Sequence, residues 1–195
     1  MKSKIKGIYT DAQFITTSSD CIYVADFSER TNAARKVEVH GHIPDCPLKE
    51  NRKMDCFRLS NPCSLPVDFH IFAEHQLVNA EGHDMEHCEC CFFPNGHSEH
   101  IWIGFLEIKD CKVKNLSRYK DKTKQQIIST VRMFRKKGLL DSCRVYGIIS
   151  FPRNNKVGFD QTLFEDITEC KRLYNAEHRR FFAGHGVIAD STYRL

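Results

Sequence analysis

The chain has 195 residues, enough to bury a sizeable core in one domain. Its 29 basic and 25 acidic residues give a net charge of +4, a mild excess that only weakly favours a polyanionic partner. The opening M-K-S-K-I-K-G-I-Y is charged and has no apolar segment of signal-peptide type, and no apolar run approaches the roughly 18 residues of a membrane span, so a cytoplasmic, non-membrane protein is expected.

Residues 1 to 60 read as strand-rich. Short apolar runs recur at Ile5 to Tyr9, Cys21 to Val24, Lys36 to His40 and Met54 to Phe57, separated by polar clusters such as Thr16 to Asp20. Val37 and Val39 alternate with Glu38 and His40, the period of a half-buried strand. Asn61-Pro62 and Leu65-Pro66 mark a turn. Residues 67 to 79 are ambiguous: Val67, Phe69 and Ile71 alternate as a strand, and Phe72 to Leu77 would instead suit a short helix. A strand from Cys88 to Phe93, a turn at Pro94-Asn95-Gly96 and a strand from His100 to Lys109 make a hairpin.

Leu116, Tyr119, Thr123, Ile127, Thr130 and Phe134 recur at three- and four-residue spacing, which predicts a helix over 116–137. Asn115 or Ser117 would cap its start and Gly138 would end it. Val145 to Phe151 reads as a buried strand, followed by a loop over Arg153 to Lys156. A second helix is expected over Gln161 to Arg180, then a strand or pair of strands over Val187 to Leu195. This order predicts one α/β domain over 1–195, with a mixed central sheet flanked by helices. Within it, 1–66 would be a β-rich N-terminal part and 67–195 the α/β core.

Glu107 and Lys109 end the apolar run Ile101 to Leu106. Residues two apart on a strand share a face, so these two project together. With Glu89 on a neighbouring strand, two carboxylates and an ammonium would converge. That arrangement suits a hard cation and the activation of a water molecule. The plainer reading is a pair of opposite charges at a strand end. Downstream, Gln126 on the long helix is placed to hold a water or a phosphate. The span after Lys109 is basic, with Lys112, Lys114, Arg118 and Lys122 among its cations. It would be a phosphate-tracking surface or simply a solvated helix face.

The run W-I-G-F-L-E-I-K-D-C-K, with the helix K-Q-Q-I-I-S-T-V after it, resembles small prokaryotic members of the PD-(D/E)XK nuclease-like superfamily. The resemblance covers roughly residues 85 to 151. It implies a restriction-endonuclease-like core of hairpin, helix and further strand. It implies metal-dependent hydrolysis of phosphodiester bonds in DNA or RNA, in a prokaryotic defence or mobile-element system with a protein partner. By that analogy Glu89 and Glu107 bind magnesium or manganese, Lys109 orients the water or stabilises the phosphate, and Gln126 is auxiliary. Glu74 would be a third metal-binding acid, with Glu81 behind it. Two departures stand out: Glu89 replaces the usual aspartate, and the family's usual helix before the strand is not obvious around residues 60 to 80. The alternative is a catalytically inactive binding or assembly module on the same fold.

A third reading is a zinc-stabilised binding protein. His83, His87, Cys88, Cys90, Cys91, His97 and His100 are soft ligands close in sequence. On a strand, however, Cys88 and Cys90 would share one face while Glu89 and Cys91 take the other, and buried free thiols are the commoner arrangement. No G-x-S-x-G or P-loop sequence is present.

Overall fold

The computed structural model describes residues 1–28, 37–47, 52–61, 64–79, 81–96, 102–109, 111, 115–141, 143–152, 188–190 and 192–194. The helix expected over Gln161 to Arg180 and the loop at Arg153 to Lys156 lie outside them, as do His97, His100, Lys112 and Lys114.

A short helix, α1 (Lys2–Ile8), opens the chain where a strand was expected. Its period explains the difference. Ile5 is fully buried and Tyr9, one turn on, nearly so, while Gly7 and Ile8 stay exposed. The strands that follow are β1 (Ile15–Thr17), β2 (Cys21–Asp26), β3 (Val37–His40) and β4 (Phe57–Ser60), then β5 (Val67–Ile71), β6 (Cys90–Pro94) and β7 (Trp102–Ile108). The long helix α2 (Leu116–Lys136) leads to β8 (Arg144–Ser150), and β9 (Ile188–Asp190) and β10 (Thr192–Arg194) come last.

Six strands form one sheet in the order β1-β5-β6-β7-β8-β10. Every pairing in it is antiparallel except β7 with β8, which is parallel. Parallel neighbours need a crossover, and α2 supplies it. A second, antiparallel sheet has the order β3-β2-β4-β9.

Three layers result. On one face of the larger sheet, Ile127, Val131 and Phe134 of α2 and Ile5 of α1 pack with Phe72, Phe93, Ile103 and Phe105. On the other face, Ile22, Val24, Phe57 and Leu59 of the smaller sheet pack with Phe69, Phe92, Leu106 and Ile108. Among the described residues, then, the mixed sheet has helices on one face and a sheet on the other, not helices on both. Each fully buried Phe, Leu or Ile in these layers contributes about 1.5–3 kcal/mol. Packing is tight at Gly104, where an added Cβ would lie 2.6 Å from the ring of Phe92 on the neighbouring strand.

Three other expectations shift. The strand at Met54 to Phe57 moves on to β4, because Met54 turns into a small core with Ala25, Phe27 and Cys46. Phe72 to Leu77 is not helical: both ends are buried and His75 adopts a positive φ of 62°. The polar stretch at residues 15–17 forms an edge strand on β5. Helix α2 keeps its expected limits. It ends in a Schellman motif, with Gly138 at φ 68°, the Leu139 N–H donating to Phe134 O and the Gly138 N–H to Arg135 O. Asn115 takes the N-cap position without a side-chain capping bond.

Candidate active site

The strand ends of β6, β7 and β8 meet at one place. Glu107 lies on β7, opposite Ile149 of the parallel β8, and is fully buried. Lys109 follows the strand, and its N–H donates to the carbonyl of Ser150 at 2.9 Å. That bond carries the β7–β8 pairing past the last strand residue and directs the Lys109 side chain back over Glu107. Lys109 Nζ is 2.9 Å from Glu107 Oε1 and 3.5 Å from Glu89 Oε1.

Glu89 sits one residue before β6, at an irregularity in the pairing. Leu106 is the partner of Cys90 in the register, and its carbonyl also accepts the N–H of Glu89 at 3.0 Å. Two residues therefore face one, as in a β-bulge, which bends a strand and re-aims a side chain. The cysteines record the same slip. Cys88 and Cys91 enter the helix-side core while Cys90 enters the core between the sheets. The expectation that Cys88 and Cys90 share a face is thus corrected, because simple alternation does not run through the bulge.

The segment before Glu89 is tied to α2. The Cys88 N–H donates to Thr130 Oγ1 at 3.0 Å, and that hydroxyl donates to the carbonyl of Gln126 at 2.7 Å. Gln126 Nε2 donates to the carbonyl of His87 at 3.0 Å. Gln126 therefore spends its amide N–H on the backbone that carries Glu89, and serves the site by positioning. Its Oε1 is buried with no hydrogen-bond partner among the described residues.

The electrostatics follow from burial. Burial pulls the Lys109 ammonium down, but the charges of Glu107 and Glu89, the hydrogen bond to Glu107 and the charge of Asp26 outweigh it, so its pKa is held well above the usual lysine value. Asp26, at the end of β2, is raised by burial, and the Glu89 charge pushes the same way; the Ser28 N–H and Lys109 oppose it. The thiols of Cys88 and Cys90 are pushed far up, first by burial and then by neighbouring charge, which makes them inert neighbours.

Glu89, Glu107 and Lys109 are thus brought together. Glu74 is not joined to them by any ion pair or hydrogen bond among the described residues. It is exposed on the loop after β5 and lines a cleft of about 540 Å³ with Asp11, Gln13 and His70. Glu81 is exposed in the next turn, its N–H bonded to Asn79 Oδ1. Arg118 is exposed on the first turn of α2, and Lys122 pairs loosely with Glu86 at 3.6 Å.

Of the soft-ligand cluster, His83 is exposed and His87 is buried against the Phe72 ring. The eight described cysteines are free thiols. Among the described residues, no three His, Cys, Asp or Glu side chains are gathered tightly enough to enclose a metal ion. Thr130 was missed from sequence as a residue that holds the site, although it carried a signal, a hydroxyl on the buried stripe of α2.

Among the described residues no helix is long and apolar enough to cross a membrane. Comparison of the chain with family models, with curated proteins and with solved structures finds no match.

Proposed function

We propose that this chain is a divalent-metal-dependent nuclease that hydrolyses phosphodiester bonds. The observation that carries the reading is the convergence of two buried carboxylates, Glu89 and Glu107, on the ammonium of Lys109. The order of elements around them supports it: an antiparallel β5-β6-β7 meander, α2, then β8 parallel to β7. That order is compatible with the hairpin, helix and further strand implied by the resemblance to PD-(D/E)XK nucleases.

The donor set fits a hard ion. Magnesium commonly takes one or two carboxylates and keeps several waters, and Glu89 and Glu107 supply that number. A bound ion supplies Lewis-acid stabilisation and a more acidic water. Lys109, held charged by its acids, is a donor and not a base. Its Nζ hydrogens suit the phosphate oxygens as negative charge builds on them. Gln126 and Thr130 hold the His87–Glu89 segment at its distance from α2. Arg118 and Lys122 offer charge for the nucleic-acid backbone, and Lys112 and Lys114 add to it in sequence. A role in prokaryotic defence with a protein partner belongs to the same proposal and rests on the resemblance.

The test is cleavage of plasmid DNA and single-stranded RNA in magnesium or manganese by wild type, Glu107→Gln and Lys109→Met. Cleavage by wild type that falls by about 10²–10³-fold in both variants supports the reading. Equal cleavage by all three overturns the mechanism. No cleavage by a folded wild type favours the inactive binding module.

A further inference from the structure

The first helix and the end of the long one meet at a cationic face. Tyr9, just past α1, stacks on Phe134 of α2 with ring centroids 6.1 Å apart, and its hydroxyl donates to Met133 Sδ at 3.2 Å. That packing brings Lys4 and Lys6 of α1 near Lys136 and Lys137 at the end of α2, because α1 is only about 10 Å long. All four lysines are exposed. Lys137 Nζ lies 5.1 Å from the centroid of the Tyr9 ring and Lys6 Nζ 5.9 Å from that of Phe14, so two of the ammonium groups rest on aromatic rings. Among the described residues none of the four is in an ion pair, and the acids nearest in sequence, Asp11 and Asp141, leave them unpaired. Like charges gathered on one face repel one another, and a polyanion relieves that repulsion.

The chemistry of α1 decides between polyanions. Its Ile5 is spent in the core, as is Tyr9 beyond it, and Ile8, 37 % exposed, is the one large apolar side chain it turns outward. A helix that lies on a membrane keeps an apolar face for the lipid. Cations without such a face fit the phosphates of a nucleic-acid backbone. The face is also separate from Arg118 and Lys122 in the first turns of α2. Lys136 lies about 15 Å along α2 beyond Gln126, which holds the segment leading to Glu89.

We propose that α1 and the end of α2 form an anchoring surface for a nucleic-acid backbone, a second contact that holds the strand away from the candidate active site. It rests on the nuclease reading above for the choice of partner. Its own binding needs neither the metal nor catalysis.

The experiment is fluorescence anisotropy of a labelled DNA duplex and a labelled single-stranded RNA with the full chain, in EDTA and over a series of salt concentrations. Wild type is compared with a variant carrying Lys4→Gln, Lys6→Gln, Lys136→Gln and Lys137→Gln together, and with the matching fourfold change to arginine. Circular dichroism confirms that each is folded. The glutamine variant is expected to bind at least about tenfold more weakly, and its slope of log K against log salt on the duplex should shrink by about 3. The arginine variant should bind as wild type does. Each pair alone, Lys4→Gln with Lys6→Gln or Lys136→Gln with Lys137→Gln, should give about half the loss in slope. Unchanged affinity and slope in the folded glutamine variants overturns the proposal, as does a wild type that binds no nucleic acid. Binding of wild type to phosphatidylserine vesicles that alone is lost in the glutamine variant overturns it in favour of a membrane. The nuclease reading fails separately: binding that depends on the four lysines, without cleavage by wild type in magnesium or manganese, leaves this surface standing and overturns the enzyme.

Discussion

Glu89 and Glu107 reach one ammonium, that of Lys109, at 3.5 and 2.9 Å, from strands whose pairing slips by a residue beside them. A regular ladder would set Glu89 by parity with Cys91. The bulge frees it from that rule, and the ion pair with Lys109 sets its direction instead. The site is therefore held by a backbone irregularity and a shared cation, and its weak points are the contacts that keep both in place.

Lys109→Met should show this as a pH effect on stability. The folded-state pKa of Lys109 lies above its ordinary value of 10.5. Its contribution is then fully present below about pH 10.5 and is lost as pH rises from there through the folded value. The stability gap between wild type and Lys109→Met, read by urea melts, should be flat at neutral pH and shrink above pH 10.5. A gap that grows with pH in that window would contradict the assignment.

Thr130→Val tests the tie between α2 and the site. The two side chains are nearly isosteric, but valine removes the hydroxyl that accepts the Cys88 N–H. A loss of about 1–2 kcal/mol is expected in chemical denaturation. Nuclease activity, where present, should fall at saturating substrate even under conditions where the variant is folded, because the backbone leading to Glu89 loosens.

Gly104→Ala tests the packing of the aromatic face that the larger sheet turns to the smaller one. The new Cβ would lie 2.6 Å from the Phe92 ring, which also packs on Phe69 and Trp102 and cannot withdraw freely. Overpacking of this kind costs about 1–3 kcal/mol. A melt unchanged from wild type would mean that the aromatic cluster yields more readily than its contacts suggest.

Gly138→Ala tests the end of α2. At φ 68° an alanine is strained, and the Schellman bonds to Phe134 and Arg135 depend on that conformation. The expected cost is about 1 kcal/mol, with no change in metal affinity, because this cap lies about two turns beyond Thr130, where α2 touches the segment leading to Glu89. A change in Mn²⁺ binding would show that α2 moves as a rigid unit with the site.

Local pattern was enough for several elements. Helix α2 was legible because apolar and small residues recur at helical spacing from Leu116 to Phe134 in the sequence and a glycine stands where the chain must turn left-handed. Strands β3, β5 and β7 were legible because alternation or an unbroken apolar run leaves few other options. The E-x-K pair of Glu107 and Lys109 was legible because its period matches the strand that carries it. The first helix was misread, since a few apolar residues among lysines satisfy either period.

What the sequence by itself determined was the chemistry of the pieces: two acids, one lysine, an apolar strand and an amphipathic helix. Their meeting was decided by tertiary structure. The bulge at Glu89 depends on which carbonyl of β7 its N–H finds, a long-range choice with no local signature. The exclusion of Glu74 depends on where the loop after β5 lies, beside Asp11, Gln13 and His70. Side-chain periods act within one element, whereas these placements arise from contacts between residues far apart in the chain, and only the folded packing brings those together.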